Sequence, residues 1–276
     1  MNFVQETDQG TLLIIGGNED KTGDCRILRK FVELSGGRSA RVAVLTTATE
    51  LPAEVGAEYK TLFELLGAEA ADVVHIADRS QAADRQLAAR LAEYRGVFFT
   101  GGDQLRLTSL LGGSAVERAL KANFRRGGVI AGTSAGASVM SRTMIVGGDS
   151  SETPKKSTIT LAEGMGFLEQ VVIDQHFAQR GRINRLLGVV AQNPNVIGMG
   201  VDEDTALLVR ANACRVVGSQ TVTVLDGRRI VHSNISESSR FDPLALTDVT
   251  LHILPEGFGY DLQQRRPCAV QQEEQS

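Results

Sequence analysis

Short apolar runs recur along the first half of this chain with helix-spaced segments between them, and that alternation restricts the fold more than any other feature. The runs are TLLIIGG (11–17), RVAVLTTAT (41–49), DVVHIA (72–77), GVFFTGG (96–102) and VIAGTS (129–134). They are rich in Val and Ile, and several end in Gly or Thr, as strands buried on both faces do. Between them, CRILRKFVEL (25–34) places Ile27, Leu28, Phe31 and Val32 on one helical face. PAEVGAEYKTLFELLG (52–67) starts with Pro in its first turn and ends in Gly. QAADRQLAARLAEY (81–94) and SAVERALKANFRRGG (114–128) repeat the pattern. Short links between strands and helices predict an α/β fold, a mostly parallel sheet flanked by helices. Ligands of such sheets sit beyond the carboxyl ends of the strands, where GGNED, TTATE, TGGDQ and GTSAG all fall.

The remainder departs from this rhythm. Residues 142–168 are rich in Ser, Thr and Gly and read as a long excursion with a short hairpin, suited to a lid, a pocket wall or a solvated loop. VVIDQHF (171–177) reads as a strand, INRLLGVVAQNP (183–194) as a helix, and VIGMGVDE (196–203) as a strand. TALLVR, CRVVGS and VTVLDG are short and closely spaced, which predicts C-terminal antiparallel strands. The polar stretch from about 262 is expected to be a mobile tail. With no linker or repeat, residues 1–276 read as one catalytic domain.

Composition excludes several classes of function. The chain carries 33 acidic against 29 basic residues, so it has no electrostatic footprint for nucleic acid or an anionic membrane. Its three cysteines, Cys25, Cys214 and Cys268, are widely separated and form no metal or disulfide pattern. The four histidines form no metal-binding spacing, so neither metal nor cofactor is expected. The first residues lack a basic start and an apolar run, and no segment approaches the roughly 20 apolar residues of a membrane span. The expected compartment is the cytoplasm.

The chemistry centres on Gly132-Thr133-Ser134-Ala135-Gly136, a G-x-S-x-G at a strand-to-helix corner. A nucleophilic serine in a strained turn needs small neighbours so that the backbone can double back. The following helix is expected to add its N-terminal dipole and free N–H groups facing a developing oxyanion. A serine nucleophile needs a base, and His176, at a strand end beside Asp174 and Gln175, is better placed than His75, His232 or His252. The base needs an orienting acid, and MGVDEDTALL offers Asp202, Glu203 and Asp204, which spacing alone does not separate. The order Ser…His…acid differs from the Ser…acid…His of α/β-hydrolases. Oxyanion donors are expected from Ala135 N–H and from Gly101 or Gly102 in TGGDQ.

Taken together, TGGDQ (100–104), GTSAGAS (132–138), DQHF (174–177), R-G-R-x-x-R (180–185) and DED (202–204) resemble the cyanophycinase family of serine peptidases, which also holds aspartyl dipeptidases. The likeness runs from about residue 10 to 227. It implies a fold similar to class I glutamine amidotransferases, with serine in place of cysteine. It also implies Ser134 as nucleophile, His176 as base and Glu203 as orienting acid, beside the oxyanion hole of Ala135 with Gly102 or Gly101 read above from the residues. Gln104, Asp174, Gln175, Arg180, Arg182 and Arg185 are implied to line the substrate pocket. The implied substrate is cyanophycin, a poly-aspartate whose β-carboxyls each carry an arginine, and the implied products are β-Asp-Arg dipeptides. A homodimer is implied as well.

Arginines suit the carboxylates of such a substrate, and Asp174 and Gln104 suit its guanidinium. Two other readings compete: an aspartyl dipeptidase of the same family, and a non-catalytic module in which GGNED and TGGDQ cradle a phosphate. The second lacks both G-x-G-x-x-G and G-K-[ST].

Overall fold

In the computed structural model, which describes residues 10–148, 150 and 153–269, the first half of the chain turns its apolar runs into strands and its amphipathic segments into helices. β1 (Thr11–Ile15) leads to α1 (Arg26–Leu34), β2 (Arg41–Leu45) to α2 (Pro52–Leu65), and β3 (Ala70–Val74) to α3 (Arg79–Ala82) and α4 (Arg85–Glu93). β4 (Gly96–Phe99) leads to α5 (Gln104–Leu111) and α6 (Ala115–Arg125), and β5 (Val129–Thr133) leads to the short α7 (Ala135–Ser138). Every residue of β1, β4 and β5 is buried, as strands covered on both faces must be. The helix predicted over 81–94 is broken in two, because Asp84 leaves helical geometry and caps the N–H of Gln86 with its carboxylate. α5 was not anticipated; Asp103 caps its first turn in the same way.

Next come β6 (Thr143–Gly148) and β7 (Ile159–Glu163), which form the hairpin expected within 142–168. β8 (Val171–Gln175), α8 (Ile183–Gln192), β9 (Ile197–Val201), β10 (Thr205–Arg210), β11 (Ala213–Gly218) and β12 (Thr221–Asp226) follow. β13 (Thr250–Pro255), β14 (Phe258–Asp261) and β15 (Arg266–Ala269) complete the order. The strands make a nine-stranded sheet, β15-β14-β11-β10-β1-β5-β4-β2-β3, and a four-stranded sheet, β13-β12-β9-β8. β1, β5, β4, β2 and β3 are mutually parallel, and β10, β11, β14 and β15 extend the sheet antiparallel from β1.

VVIDQHF and VIGMGVDE form strands as expected, but in a sheet of their own: β8 and β9 pair in parallel in the smaller sheet, with β12 antiparallel to β9. One expectation changes. The stretch from about 262 is not a free tail throughout: it turns, and β15 pairs with β14 while Arg265 is buried against Asp226. Residues 270–276 lie outside the described residues. One apolar core takes Leu12, Phe99 and Ile130 from the large sheet and Ile173, Met199 and Val224 from the small one. That shared core brings the carboxyl ends of β1, β5, β8 and β9 to one place. Backbone bonds fasten the junction there, with His176 N–H donating to Gly16 O at 2.8 Å and Asp204 N–H to Gly17 O at 2.9 Å.

Candidate active site

Ser134 follows the last residue of β5 with φ 53° and ψ −110°, a left-sided conformation that a non-glycine residue rarely adopts. Such strain costs on the order of 1–3 kcal/mol and persists where the surroundings hold it. Ser134 N–H donates to Ile15 O at 3.0 Å, and Ser134 O accepts from Ala137 and Ser138. The flanking glycines are required by close approach: a Cβ at Gly132 would run into Gly136 O, and one at Gly136 would come 2.5 Å from Phe99 O. The bend leaves the Ser134 hydroxyl at the cleft while Ala135 and Ala137 are fully buried. The helix expected behind the serine is only the four-residue α7, so the dipole it adds there is small.

His176 Nε2 lies 3.0 Å from Ser134 Oγ, and His176 Nδ1 lies 2.6 Å from Glu203 Oε1. The serine comes from the large sheet, and the histidine and glutamate from the small one. Asp202 and Glu203 and Asp204, equal in spacing, part ways here. Asp202 accepts from Ala178 N–H and from the N–H and hydroxyl of Thr221, and Asp204 accepts from Asp20 N–H. Only Glu203 of these faces the histidine.

Burial holds His176 below the ordinary histidine value of 6.5; Arg180 and Arg182 push the same way, against the hydrogen bond and charge of Glu203. Glu203 is held below the usual carboxylate value, first by its bond to His176 and also by Asn18. The pair is therefore set as a neutral imidazole beside a carboxylate at neutral pH.

Beside the serine, a Cβ at Gly101 would touch Ser134 Cβ at 3.4 Å, whereas Gly102, with φ +138°, packs on Ala48. Among the described residues no acceptor takes the N–H of Gly101, Gly102 or Ala135.

The remaining site residues of the sequence do not form one open pocket. Asp174, Gln175, Arg182 and Arg185 are all buried and bond to one another. Arg185 grips both oxygens of Asp174, and Arg182 donates to Gln175 Oε1 at 3.0 Å, to Gln175 O and to Asp174 Oδ1. Burial, with the neighbouring arginines, pushes Arg182 down to about 10, and its Nε has no partner. Asp174 is thus occupied by two of the protein's own guanidinium groups, and its expected freedom to take a substrate guanidinium is absent in this structure. Gln104 donates to Ile145 O at 3.0 Å and ties α5 to the hairpin. Arg180 is the one arginine of the run left exposed.

Sequence reasoning missed the loop after β1. Gly17 has φ +105°, and a Cβ there would overlap the His176 ring. Asn18 Nδ2 donates to Glu203 Oε2 at 3.0 Å. Glu19 is buried, accepting from Thr133 Oγ1 and from Tyr59 OH, each at 2.5 Å. One loop thus touches the surroundings of all three residues. Its signal was present, a polar GGNED at a strand's carboxyl end, but which groups it would meet depends on the second sheet. In this loop Gly16 N–H is taken by Thr205 O and Asp20 N–H by Asp204, and the buried Glu19 carboxylate faces the Ser134 corner, a setting that does not suit a phosphate.

Among the described residues no helix is long and apolar enough to cross a membrane.

Residues 12–217 match the sequence profile of peptidase family S51. A cyanophycinase of Trichormus variabilis is 40% identical over 269 residues, covering 96% of this chain and 90% of that one. A cyanophycinase of Geminocystis herdmanii is 36% identical, covering 95% and 97%. The fold is shared with the crystal structure of a peptidase from an acI-B1 Actinobacterium, at TM-score 0.70 and 20% identity, over 92% of this chain and 97% of that one. On the breadth of that match and of the two relatives, the chain belongs to peptidase family S51.

Proposed function

We propose that the protein hydrolyses cyanophycin to β-Asp-Arg dipeptides through an acyl-enzyme on Ser134. The observation that carries the reading is the unbroken chain Ser134 Oγ–His176 Nε2 and His176 Nδ1–Glu203 Oε1 at a strained corner. The relatives named cyanophycinase supply the substrate class. In the first step His176 Nε2 takes the Ser134 proton as Oγ attacks a backbone carbonyl of the polymer. The N–H groups of Ala135 and of the Gly101–Gly102 turn receive the oxyanion. His176 then gives its proton to the leaving amine. Water attacks the acyl-enzyme with His176 again as base, and Ser134 is restored.

Glu203 fixes the tautomer by accepting from Nδ1–H and stabilises the imidazolium when it forms. Asn18 and Gln179 hold Glu203 in turn, the first at its carboxylate and the second at its backbone N–H. Arg180, exposed beside His176, is available to a substrate carboxylate, while Arg182 keeps an unpartnered buried Nε nearby. Three free cysteines fit a reducing compartment, so we place the protein in the cytoplasm, acting as a homodimer.

The test is incubation with insoluble cyanophycin and identification of the products by mass. Wild type is expected to release β-Asp-Arg, and Ser134→Ala to lose at least about 10^4-fold in turnover with its fold intact. Cleavage of Asp-X dipeptides with the polymer untouched would replace this substrate with that of a dipeptidase. Dipeptide release by Ser134→Ala would remove the nucleophile.

A further inference from the structure

The cleft at Ser134, of about 580 Å3, also extends between the β1–α1 loop and α2, and no step above uses the charged side chains on those two walls. Its walls carry Lys21 from the loop and Glu58 and Tyr59 from α2, and Gly101 and Ser134 line the same cleft. Lys21 Nζ lies 2.8 Å from Glu58 Oε2 and 4.3 Å above the centre of the Tyr59 ring. A cation and an anion are therefore presented together beside the proposed nucleophile.

The frame beneath them is rigid. Tyr59 is buried and donates to Glu19, which also holds Thr133, the residue before the serine. Asp20 accepts from the N–H groups of Thr22, Gly23 and Cys25, which fixes the turn carrying Lys21. The charged tips remain open, with side chains 29% and 51% exposed for Lys21 and Glu58. An exposed pair of this kind contributes little to stability and separates readily for a ligand. If Glu58 swings away, the Tyr59 ring still holds the Lys21 ammonium in place.

Each repeat of cyanophycin leaves two charged groups free, the α-carboxylate and the guanidinium of its arginine. We infer that Lys21 and Glu58 form a subsite for one such unit next to the scissile bond, Lys21 taking the carboxylate and Glu58 the guanidinium. Glu58 suits the guanidinium because a carboxylate can accept from it bidentately. None of these residues belongs to the buried Asp174 cluster, so the subsite adds a second point of charge recognition at Ser134. The inference rests on the cyanophycin reading above.

The experiment compares wild type with Lys21→Glu, Glu58→Lys and the double swap on soluble (β-Asp-Arg) oligomers. Rates are normalised to the fraction of Ser134 that a fluorophosphonate labels. Each single variant is expected to lose about tenfold or more in kcat/KM, mainly through KM, as loss of a charge-assisted contact implies. The double swap is expected to stay low, because it restores the ion pair but inverts its polarity toward the substrate. Recovery of wild-type kcat/KM by the swap would show a structural pair and overturn the subsite, as would unchanged single variants. Wild type inactive on both polymer and oligomers would instead overturn the cyanophycin reading, and the subsite with it.

Discussion

Two groups of opposite charges lie near Ser134, and they differ in what their charges are spent on. Asp174, Arg182 and Arg185 are 1%, 8% and 7% exposed and bond to one another. Lys21 and Glu58 face the cleft with exposed tips. Burial obliges charges to satisfy each other, since an unpaired charge in the interior costs several kcal/mol. Exposure leaves a pair free to exchange its partner for a ligand. In the sequence the weights run the other way: R-G-R-x-x-R stands out, while Lys21 and Glu58 are ordinary surface residues far apart in the chain.

The largest effect separates a carboxylate spent on the reacting histidine from carboxylates spent on backbone. Glu203→Gln keeps the shape of the side chain but removes the charge that orients and stabilises the imidazolium. Turnover is expected to fall by up to about 10^4-fold, with little change in stability. Asp202→Asn weakens bonds to Ala178 and Thr221, so its cost appears in denaturant unfolding before it appears in turnover. Equal losses of kcat for Glu203→Gln, Asp202→Asn and Asp204→Asn would erase the distinction.

Next comes the buried cluster itself. Asp174→Ala strands Arg185 and Arg182 without their shared anion, which should lower stability by about 3–5 kcal/mol. Glu58→Ala, which breaks an exposed pair, should cost within about 1 kcal/mol. Urea titration of both variants measures the contrast, and similar midpoints would mean that burial does not set the role of these charges.

The strands, the elbow and the order of the site residues were legible because they depend on local pattern. Apolar runs with helix-spaced segments between them fix a parallel sheet, and Gly132 and Gly136 around Ser134 announce a corner that admits no side chain. The partition into two sheets was not legible, because β8 and β9 carry the same apolar signature whichever sheet they join. The loss followed from there. Without knowing that β9 ends beside the β1 loop, nothing in GGNED says that Asn18 meets Glu203 or that Gly17 lies under His176. The acid shows the same limit: three adjacent carboxylates differ only in where the turn aims them, and Asp204, with φ 47°, helps set that turn. Charge partners at long sequence separation, such as Asp174 with Arg185, are likewise chosen by burial rather than by spacing.

The smallest effect tests the one arginine of the run that stays exposed. His176 works as a neutral base, so activity falls as the pH drops through its pKa. Because that pKa lies below 6.5 in the folded protein, the acid limb of kcat/KM should lie below 6.5 in wild type. Arg180 disfavours the imidazolium by charge repulsion, so Arg180→Gln should move the limb to higher pH. The plateau falls as well if Arg180 binds substrate, but the midpoint reads the free enzyme and separates the two roles. Salt provides the control. An exposed charge is screened within a Debye length of about 8 Å at physiological ionic strength, so added salt should raise the wild-type midpoint toward that of Arg180→Gln. The variant, having lost the screened charge, should respond less. A limb that stays in place in Arg180→Gln would mean that burial and Arg182 hold His176 down, leaving the exposed arginine no part in tuning the base.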